Sequence, residues 1–289
     1  MRSGGYSQDR RQDDAAAASL VKQRDRDRYW SALFAPAPKR PGLLAVYAFN
    51  AELSHIPSLV SEPMVGQIRL QWWRDAIDLA APGSKTGNPI ADALTATILE
   101  HDLQKDRIIR MIDARLPEIL GELPADIAAF RASLQETSGS VFEIAAALLG
   151  NKSEVTQKAA GHAGLAYGLT EALATLPLQA LRQKLLLPPS YLESRGIDVA
   201  TIYRGKANAS FKAALADLRG AANRALQQFR TLAPELDKAV WPAFLPLTLV
   251  KPYLRAMAAP DFHPLRTFPE VSPLRRFWRI WRAARRQTI

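Results

Sequence analysis

Residues 41–79 carry the pattern that most constrains the fold, because they read as two successive amphipathic helices. In the first half, side chains recur at helical spacing on one broad face, which is mostly apolar. They are Leu43, Val46, Tyr47, Ala51, Ser54 and Ser58. The second half has its own stripe of Val65, Ile68, Trp72, Ala76 and Leu79. Pro63, between the halves, suits the first turn of a helix, where its missing N–H costs little. The stretch predicts a helical hairpin.

The composition predicts an all-α protein with a single domain. A chain of 289 residues with 48% hydrophobic residues is long enough for one large core, and no Gly/Ser-rich linker divides it. Strand signals are weak because β-branched runs are short. We expect a disordered N-terminal tail over residues 1–18, which are polar, charged and then Ala-rich, and a helical domain over residues 19–289.

The chain contains no cysteine, which excludes disulfides and thiolate chemistry and fits a reducing compartment. No apolar run approaches the roughly 20 residues that span a bilayer. The N-terminus lacks the apolar core of a signal peptide, and its acidic residues argue against a transit peptide. We therefore expect a cytoplasmic protein, peripheral at the inner membrane if its basic end binds lipid.

The net charge of +10 is concentrated at the C-terminus, where no acidic residue follows Glu270. This end predicts a basic amphipathic helix with aromatic side chains, typical of a membrane-surface anchor. We expect Phe277 and Trp281 to pack on the domain. The candidate membrane or partner surface comprises Trp278, Arg275, Arg276, Arg279 and Arg282. Acidic protein surfaces also remain open as partners, whereas nucleic acid is not expected because no nucleic-acid-binding motif is present.

Three glycines lie on one predicted helix, from Ser153 to Leu176. They are Gly161, Gly164 and Gly168. Each costs about 1 kcal/mol of helix propensity relative to alanine, so each indicates close approach of a backbone or a ligand. For each glycine taken alone, tight helix packing is the favoured explanation. The four histidines have no spacing that suits a metal, and no nucleophile or phosphate-loop motif is present.

Two strings identify a resemblance. Tyr47-Ala48-Phe49, followed by Gln71-Trp72-Trp73-Arg74-Asp75, resembles the entry helices of the squalene/phytoene synthase family, and Gly164-Leu165-Ala166-Tyr167 resembles a later helix of that family. The resemblance covers most of the chain. It implies an isoprenoid-synthase fold, with helices around a central cavity whose mouth lies near Ser54, Ser58, Glu171 and Thr175.

In that family two Asp-x-x-x-Asp motifs bind magnesium and the substrate diphosphate. Gapless counting puts Ser54 and Ser58 at the first motif, and Thr175 and Gln179 at the second, with Glu171 in place of an asparagine. Magnesium needs oxygen ligands, usually including carboxylates. We therefore expect no metal, no cofactor and no catalytic residues, and Mg²⁺ only if the chain is a synthase after all.

Further strings, such as Ala48-Phe49-Asn50-Ala51-Glu52-Leu53, are similar to the branch of the family that contains a mitochondrial complex I assembly factor. That resemblance implies a non-catalytic role in respiratory complex I assembly, with complex I subunits as partners. The alternative is a prenyltransferase that joins two prenyl diphosphates head to head. The family's basic positions persist at Arg182 and Lys184, which are candidates for binding an anion or the headgroup of an isoprenoid-like lipid. Solvated charges that flank a turn explain the two residues equally well.

Overall fold

The structure is a computed structural model that describes residues 3–60 and 62–289, with side chains from residue 8 onward. Helices and turns are its regular elements, and no strand occurs among the described residues. The first half contains α1 Ser3–Arg24, α2 Arg26–Ala32, α3 Arg40–Leu59, α4 Pro63–Asp78, α5 Pro89–Glu100, α6 Lys105–Asp113, α7 Leu116–Leu120, α8 Ile127–Leu134, a π-helical turn Gln135–Gly139 and α9 Ser140–Leu149.

The second half contains α10 Glu154–Ala174, α11 Leu176–Leu181, α12 Pro189–Glu193, α13 Val199–Tyr203, α14 Ala209–Leu232, short 3-10 turns at Ala233–Glu235 and Lys238–Val240, α15 Trp241–Phe244, a 3-10 turn Leu245–Leu249, α16 Val250–Ala256 and α17 Pro273–Arg286. Residues 238–256 form several short helical pieces rather than one continuous helix. Pro242, Pro246 and Pro252 remove the backbone donors that a continuous helix would need.

Two long helices form the centre of the fold. α3 packs between α1, α5 and α9, and its residues from Gly42 to Asn50 are all buried. α10 packs along α14 and across the π-helical turn. Ser153 caps α10, accepting a hydrogen bond from Thr156 N, at the start of the helix predicted from Ser153 to Leu176. The all-α prediction is confirmed.

The disordered tail predicted over residues 1–18 differs from the structure, in which α1 runs from Ser3 to Arg24. Ala17 and Val21 of α1 are fully buried, and α1 lies against α3 and α5. Asp13 also forms an ion pair with Lys85, which precedes α5. The Ala-rich run buries a narrow face that its composition did not reveal. Met1 and Arg2, part of the predicted tail, and Ser61 lie outside the described residues.

The helical hairpin is confirmed, with Pro63 in the first turn of α4. However, four of the five residues of the predicted stripe on α4, namely Val65, Ile68, Trp72 and Leu79, are exposed, and only Ala76 is buried. Met64 is exposed as well. The face turned inward carries Gly66, Leu70, Trp73, Ala76 and Ile77. The difference arises because α4 has apolar residues on two faces, and its packing on α7 at Gly66 and Ile119 selects the second.

Candidate functional site

A close contact between two backbones fixes α10 in the fold. An added Cβ at Gly164 would lie 2.2 Å from Gly139 Cα and 2.4 Å from Gly139 N. At Gly168 the nearest atom would be Ser138 Oγ, at 3.0 Å. These two glycines therefore serve tight packing against the π-helical turn, as favoured from the sequence. Gly161 has only Gln135 Nε2 nearby, at 4.0 Å, so the same explanation does not apply to it.

The first motif lies on the last turns of α3. Ser54 is exposed, and its Oγ accepts a hydrogen bond of 2.9 Å from Arg115 Nη2. Ser58 Oγ donates to the His55 carbonyl at 2.7 Å and lies 2.8 Å from His55 Nδ1. An arginine side chain thus meets one position at which the family carries a carboxylate, and the other hydroxyl bonds within its own helix.

The second motif lies where α10 joins α11. Thr175 Oγ1 donates to the Glu171 carbonyl at 2.9 Å. Gln179 is buried, and its Nε2 donates to the Ala172 carbonyl at 2.8 Å and to Thr175 Oγ1 at 2.9 Å. Its Oε1 accepts from Leu186 N at 3.0 Å. Gln179 therefore ties the end of α10 to the segment that follows α11, and all three of its hydrogen bonds are internal.

Glu171 lies on the last turn of α10. Its side chain is exposed, yet burial by surrounding protein raises the pKa of its carboxyl, and the charge of Arg28 opposes that rise. The charge of Arg115 also acts to lower this pKa, and Arg115 Nη2 donates a hydrogen bond to Ser54 Oγ. Arg115 therefore acts on Ser54 of α3 through a hydrogen bond and on Glu171 of α10 through its charge. Arg115 also forms an ion pair of 3.6 Å with Glu118.

Behind these positions lies a buried guanidinium that the sequence analysis missed. Arg28 on α2 is 3% exposed and forms an ion pair of 2.7 Å with Asp25. Its Cζ lies 4.5 Å from the centre of the Tyr167 ring and 5.7 Å from those of Tyr47 and Phe142. Such distances allow cation–π attraction with each ring. We call Arg28, Asp25 and the three rings the Arg28 cluster.

The cluster perturbs its members' ionisation. Burial acts to lower the pKa of Arg28, but Tyr167, Asp25 and Glu171 outweigh it and hold that pKa above its ordinary value. Burial raises the pKa of Tyr47 and Tyr167, against the opposing charge of Arg28. The guanidinium is therefore permanently charged, and both phenols remain protonated near neutral pH. The only sequence signal for this cluster is the spacing of Asp25 and Arg28, which are three residues apart. That spacing is equally typical of an ion pair exposed to solvent on a helix.

Other polar groups do not extend the site. Arg182 and Lys184 are exposed, at the end of α11. Within the described ranges, no three histidine or acidic side chains converge as a metal site would require. Two surface recesses, one beside Lys85 and Asp92 and another beside Arg107 and Glu143, contain none of the motif positions.

The C-terminal helix α17 is held by its inner face. Ile280 and Ala283 are buried with Leu245 and Leu249, and Trp30 contacts Phe277 edge to face at 5.8 Å. Phe277 is nevertheless 40% exposed, so the packing expected of it is only partial.

The sequence predicted Arg276 on the membrane or partner surface. In the structure its side chain instead turns inward and forms an ion pair with Asp27. Along the outward face, Leu274 and Trp278 are exposed, and Arg275, Arg279, Arg282 and Arg286 follow one another on an adjacent ridge. In the part of the chain that the structure describes, no helix is both long enough and apolar enough to cross a membrane.

Comparisons with known proteins agree with this architecture. Residues 21–282 match the squalene/phytoene synthase family. NADH dehydrogenase (ubiquinone) complex I, assembly factor 6 of Bos taurus is 26% identical over 273 residues, which cover 93% of this chain and 82% of that protein. The Homo sapiens protein of the same name is 25% identical with the same coverage. A dehydrosqualene synthase crystal structure superposes with a TM-score of 0.81 at 16% identity, covering 97% of this chain and 98% of that one.

Proposed function

Because this chain belongs to the squalene/phytoene synthase family, we propose that it acts as a non-catalytic assembly factor for respiratory complex I. Support comes first from relatives that match over most of the chain and bear the name of complex I assembly factor 6. The observation that carries the proposal is the chemistry of the two motifs, where hydroxyls and an amide occupy the four positions at which the family has carboxylates.

The hydrogen bonds at those positions support a non-catalytic role. Stabilising a departing diphosphate needs concentrated positive charge, which a magnesium cluster supplies when carboxylates hold it. Here Gln179 uses its amide within the protein, and Ser54 accepts from Arg115. Glu171 remains as one carboxylate, which is too few for such a cluster.

The second candidate is a transferase that condenses two prenyl diphosphates head to head. The likeness of the whole fold to a dehydrosqualene synthase favours it. A likeness at 16% identity concerns the fold alone, and the motif positions argue against this candidate.

One experiment separates the two functions. The gene is deleted in the source organism, and assembled complex I is measured on native gels alongside carotenoid and hopanoid content. The assembly proposal predicts reduced complex I with unchanged terpenoids. Normal complex I with lost terpenoids would reverse the ranking. As a second measurement, purified protein with farnesyl or geranylgeranyl diphosphate and Mg²⁺ is expected to form no coupled product.

The location proposed for this activity is the surface of the inner membrane, with the outward face of α17 on anionic lipid. Leu274 and Trp278 are exposed one helical turn apart beside the arginine ridge defined above, whereas Trp281 is half-buried. Burial lowers the pKa of Arg279, and the like charges of Arg275 and Arg255 add to this effect. Apolar burial and attraction to anionic headgroups add for such a helix.

Vesicle flotation tests that location. The full chain is expected to float with vesicles that contain anionic phosphatidylglycerol and to stay behind with pure phosphatidylcholine. The variant Arg275→Glu/Arg279→Glu/Arg282→Glu should lose most of this binding. Arg110→Glu/Arg131→Glu/Lys212→Glu is the matched control, because these residues are exposed on α6, α8 and α14 and the change of net charge is equal. Equal loss in both variants would contradict a specific role for α17.

Anion binding at Arg182 and Lys184 remains a separate prediction. Both residues are exposed, so an anion there would be held at the surface. Inorganic pyrophosphate should raise the melting temperature of the wild type, and the rise should disappear in Arg182→Ala/Lys184→Ala. An unchanged melting temperature of the wild type, with and without Mg²⁺, would remove this prediction.

A further inference from the structure

The space between the two central helices is occupied by a side chain of the protein itself. Tyr47 lies two helical turns before Ser54 on α3, and Tyr167 lies about one turn before Glu171 on α10. The guanidinium of Arg28 lies over the rings of both tyrosines, so it lies between α3 and α10. It enters this space from α2, which is neither of these helices.

The contacts of Arg28 are those of a bound cation. Asp25 Oδ2 accepts from Arg28 Nη1 at 2.7 Å, and Asp25 Oδ1 accepts from the Arg28 backbone N–H at 3.0 Å. Three aromatic rings surround the guanidinium at 4.5 to 5.7 Å. Phe142 is 1% exposed and is stacked on Phe244, so this side of the cluster is backed by the main core.

A cation in this position is costly to move. A buried charge is tolerated only where a counter-ion and favourable dipoles replace water. A hydrocarbon chain that entered past Glu171 would separate Arg28 from its aromatic rings. It has neither a negative charge nor a hydrogen-bond acceptor to replace those contacts. The cluster therefore selects against apolar occupants.

We propose that Arg28 is a specificity-determining residue that closes the interior of the helical shell to isoprenoid-length apolar chains. Arg28 serves as the internal ligand of an aromatic cage, and the shell is complete without a bound lipid. This goes beyond a role in complex I assembly, and it concerns binding alone, so it can fail or succeed independently of that role.

Farnesol is the probe, because it is an uncharged isoprenoid and so reports on the interior rather than on Arg182 and Lys184. Binding is measured by isothermal titration calorimetry and by the shift in melting temperature. The wild type should show neither heat nor shift. Arg28→Ala should bind farnesol at least about tenfold more tightly, because truncation leaves an aromatic-lined cavity of the kind that takes apolar ligands.

Two further variants keep the test decisive. Asp25→Ser/Arg28→Ala removes both charges while a serine preserves the cap of α2, and it replaces Arg28→Ala if the single variant does not fold. Arg107→Ala is the matched control, since Arg107 is a half-buried arginine paired with Glu143 and is not in the cluster. Farnesol binding by the wild type would overturn the proposal, and this result can be obtained even if no variant folds. Equal farnesol binding by the wild type and by a folded Arg28→Ala or Asp25→Ser/Arg28→Ala variant would also overturn it.

Chemical rescue gives a second readout. Methylguanidinium at millimolar concentration should raise the melting temperature of Arg28→Ala by restoring a cation to the cage. It should leave the melting temperature of Arg107→Ala unchanged. Equal responses of the two variants would count against a cation site defined by these rings.

Discussion

Arg276 on α17 and Asp27 on α2 lie 249 positions apart and meet at a single carboxylate oxygen, which Arg276 Nε contacts at 2.8 Å and Nη2 at 2.6 Å. Asp27 is 6% exposed, and Arg276 also lies over the Trp30 ring. This ion pair is therefore a principal polar attachment of the C-terminal helix, alongside the apolar contacts of Ile280 and Ala283.

Arg276→Gln should lower the free energy of unfolding by about 2 kcal/mol at neutral pH, because it leaves a buried carboxylate without its counter-ion. Asp27→Asn/Arg276→Gln should recover most of that loss, since it removes the buried charge as well. Arg282→Gln, on the exposed side of the same helix, should stay within about 0.5 kcal/mol of the wild type. Urea denaturation measures all three. Equal losses in Arg276→Gln and the double variant would contradict this account.

The same carboxyl makes stability depend on pH. Burial raises the pKa of Asp27 from 3.8 to about 6, although the charge of Arg276 opposes the rise. Between these values the folded state binds the proton more tightly than the unfolded state, so this group's contribution is largest below pH 3.8 and is lost as the pH rises through about 6.

Asp27→Asn isolates this contribution. The unfolding free energy of the variant minus that of the wild type should increase by roughly 3 kcal/mol as the pH rises from about 3.5 to about 7. The subtraction removes the titration of carboxyls that both proteins share. Denaturation curves at intervals across this range provide the measurement, and a pH-independent difference would contradict the raised pKa.

The sequence predicted those features that local chemistry decides. The start of α10, predicted at Ser153, is such a feature, because a serine at this position caps the helix. The inward face of α4 does not follow from local chemistry, because apolar side chains such as Trp72 and Trp73 point in different directions around the helix. Tertiary packing selects the face, including the contact of Gly66 with Ile119, more than fifty residues away, and that of Trp73 with Phe49.

The resemblance predicts that Ser54, Glu171 and Thr175 lie near one mouth, and this stays a prediction. The structure adds that Ser54 accepts a hydrogen bond from Arg115, whose charge also acts to lower the pKa of Glu171. The Arg28 cluster was not predicted from the sequence, because a charged residue on a short helix is ordinarily solvated. The burial of Arg28 depends on aromatic rings supplied by three other helices.

Gly164→Ala should destabilise the protein by about 2 kcal/mol or more, since the new methyl group would overlap the backbone of Gly139. Gly161→Ala is its matched control on the same helix, where the nearest atom lies 4.0 Å from the added Cβ. That substitution should be neutral or stabilise the helix by up to about 1 kcal/mol. Thermal and urea denaturation compare the two. A harmless Gly164→Ala would mean that α10 does not sit this close to the π-helical turn.

The two motif positions should respond differently when their aspartates are restored. Ser54→Asp places a carboxylate on the exposed end of α3, within reach of Arg115, and should change the unfolding free energy by less than about 0.5 kcal/mol. Gln179→Asp puts a carboxylate opposite the Ala172 carbonyl and removes the two hydrogen bonds that the amide donates. It should cost about 2 kcal/mol at neutral pH.

Denaturation of the two variants at pH 7 and at pH 5 provides the measurement. The cost of Gln179→Asp should shrink at the lower pH, because a protonated carboxyl can again donate to a carbonyl. A Gln179→Asp variant as stable as Ser54→Asp at both pH values would mean that the junction of α10 and α11 does not depend on the amide. If Gln179→Asp costs more stability than Ser54→Asp, a single substitution at Ser54 can restore a carboxylate to α3 at little cost. At Gln179 the same change also removes the side chain whose Oε1 accepts a hydrogen bond from Leu186 N.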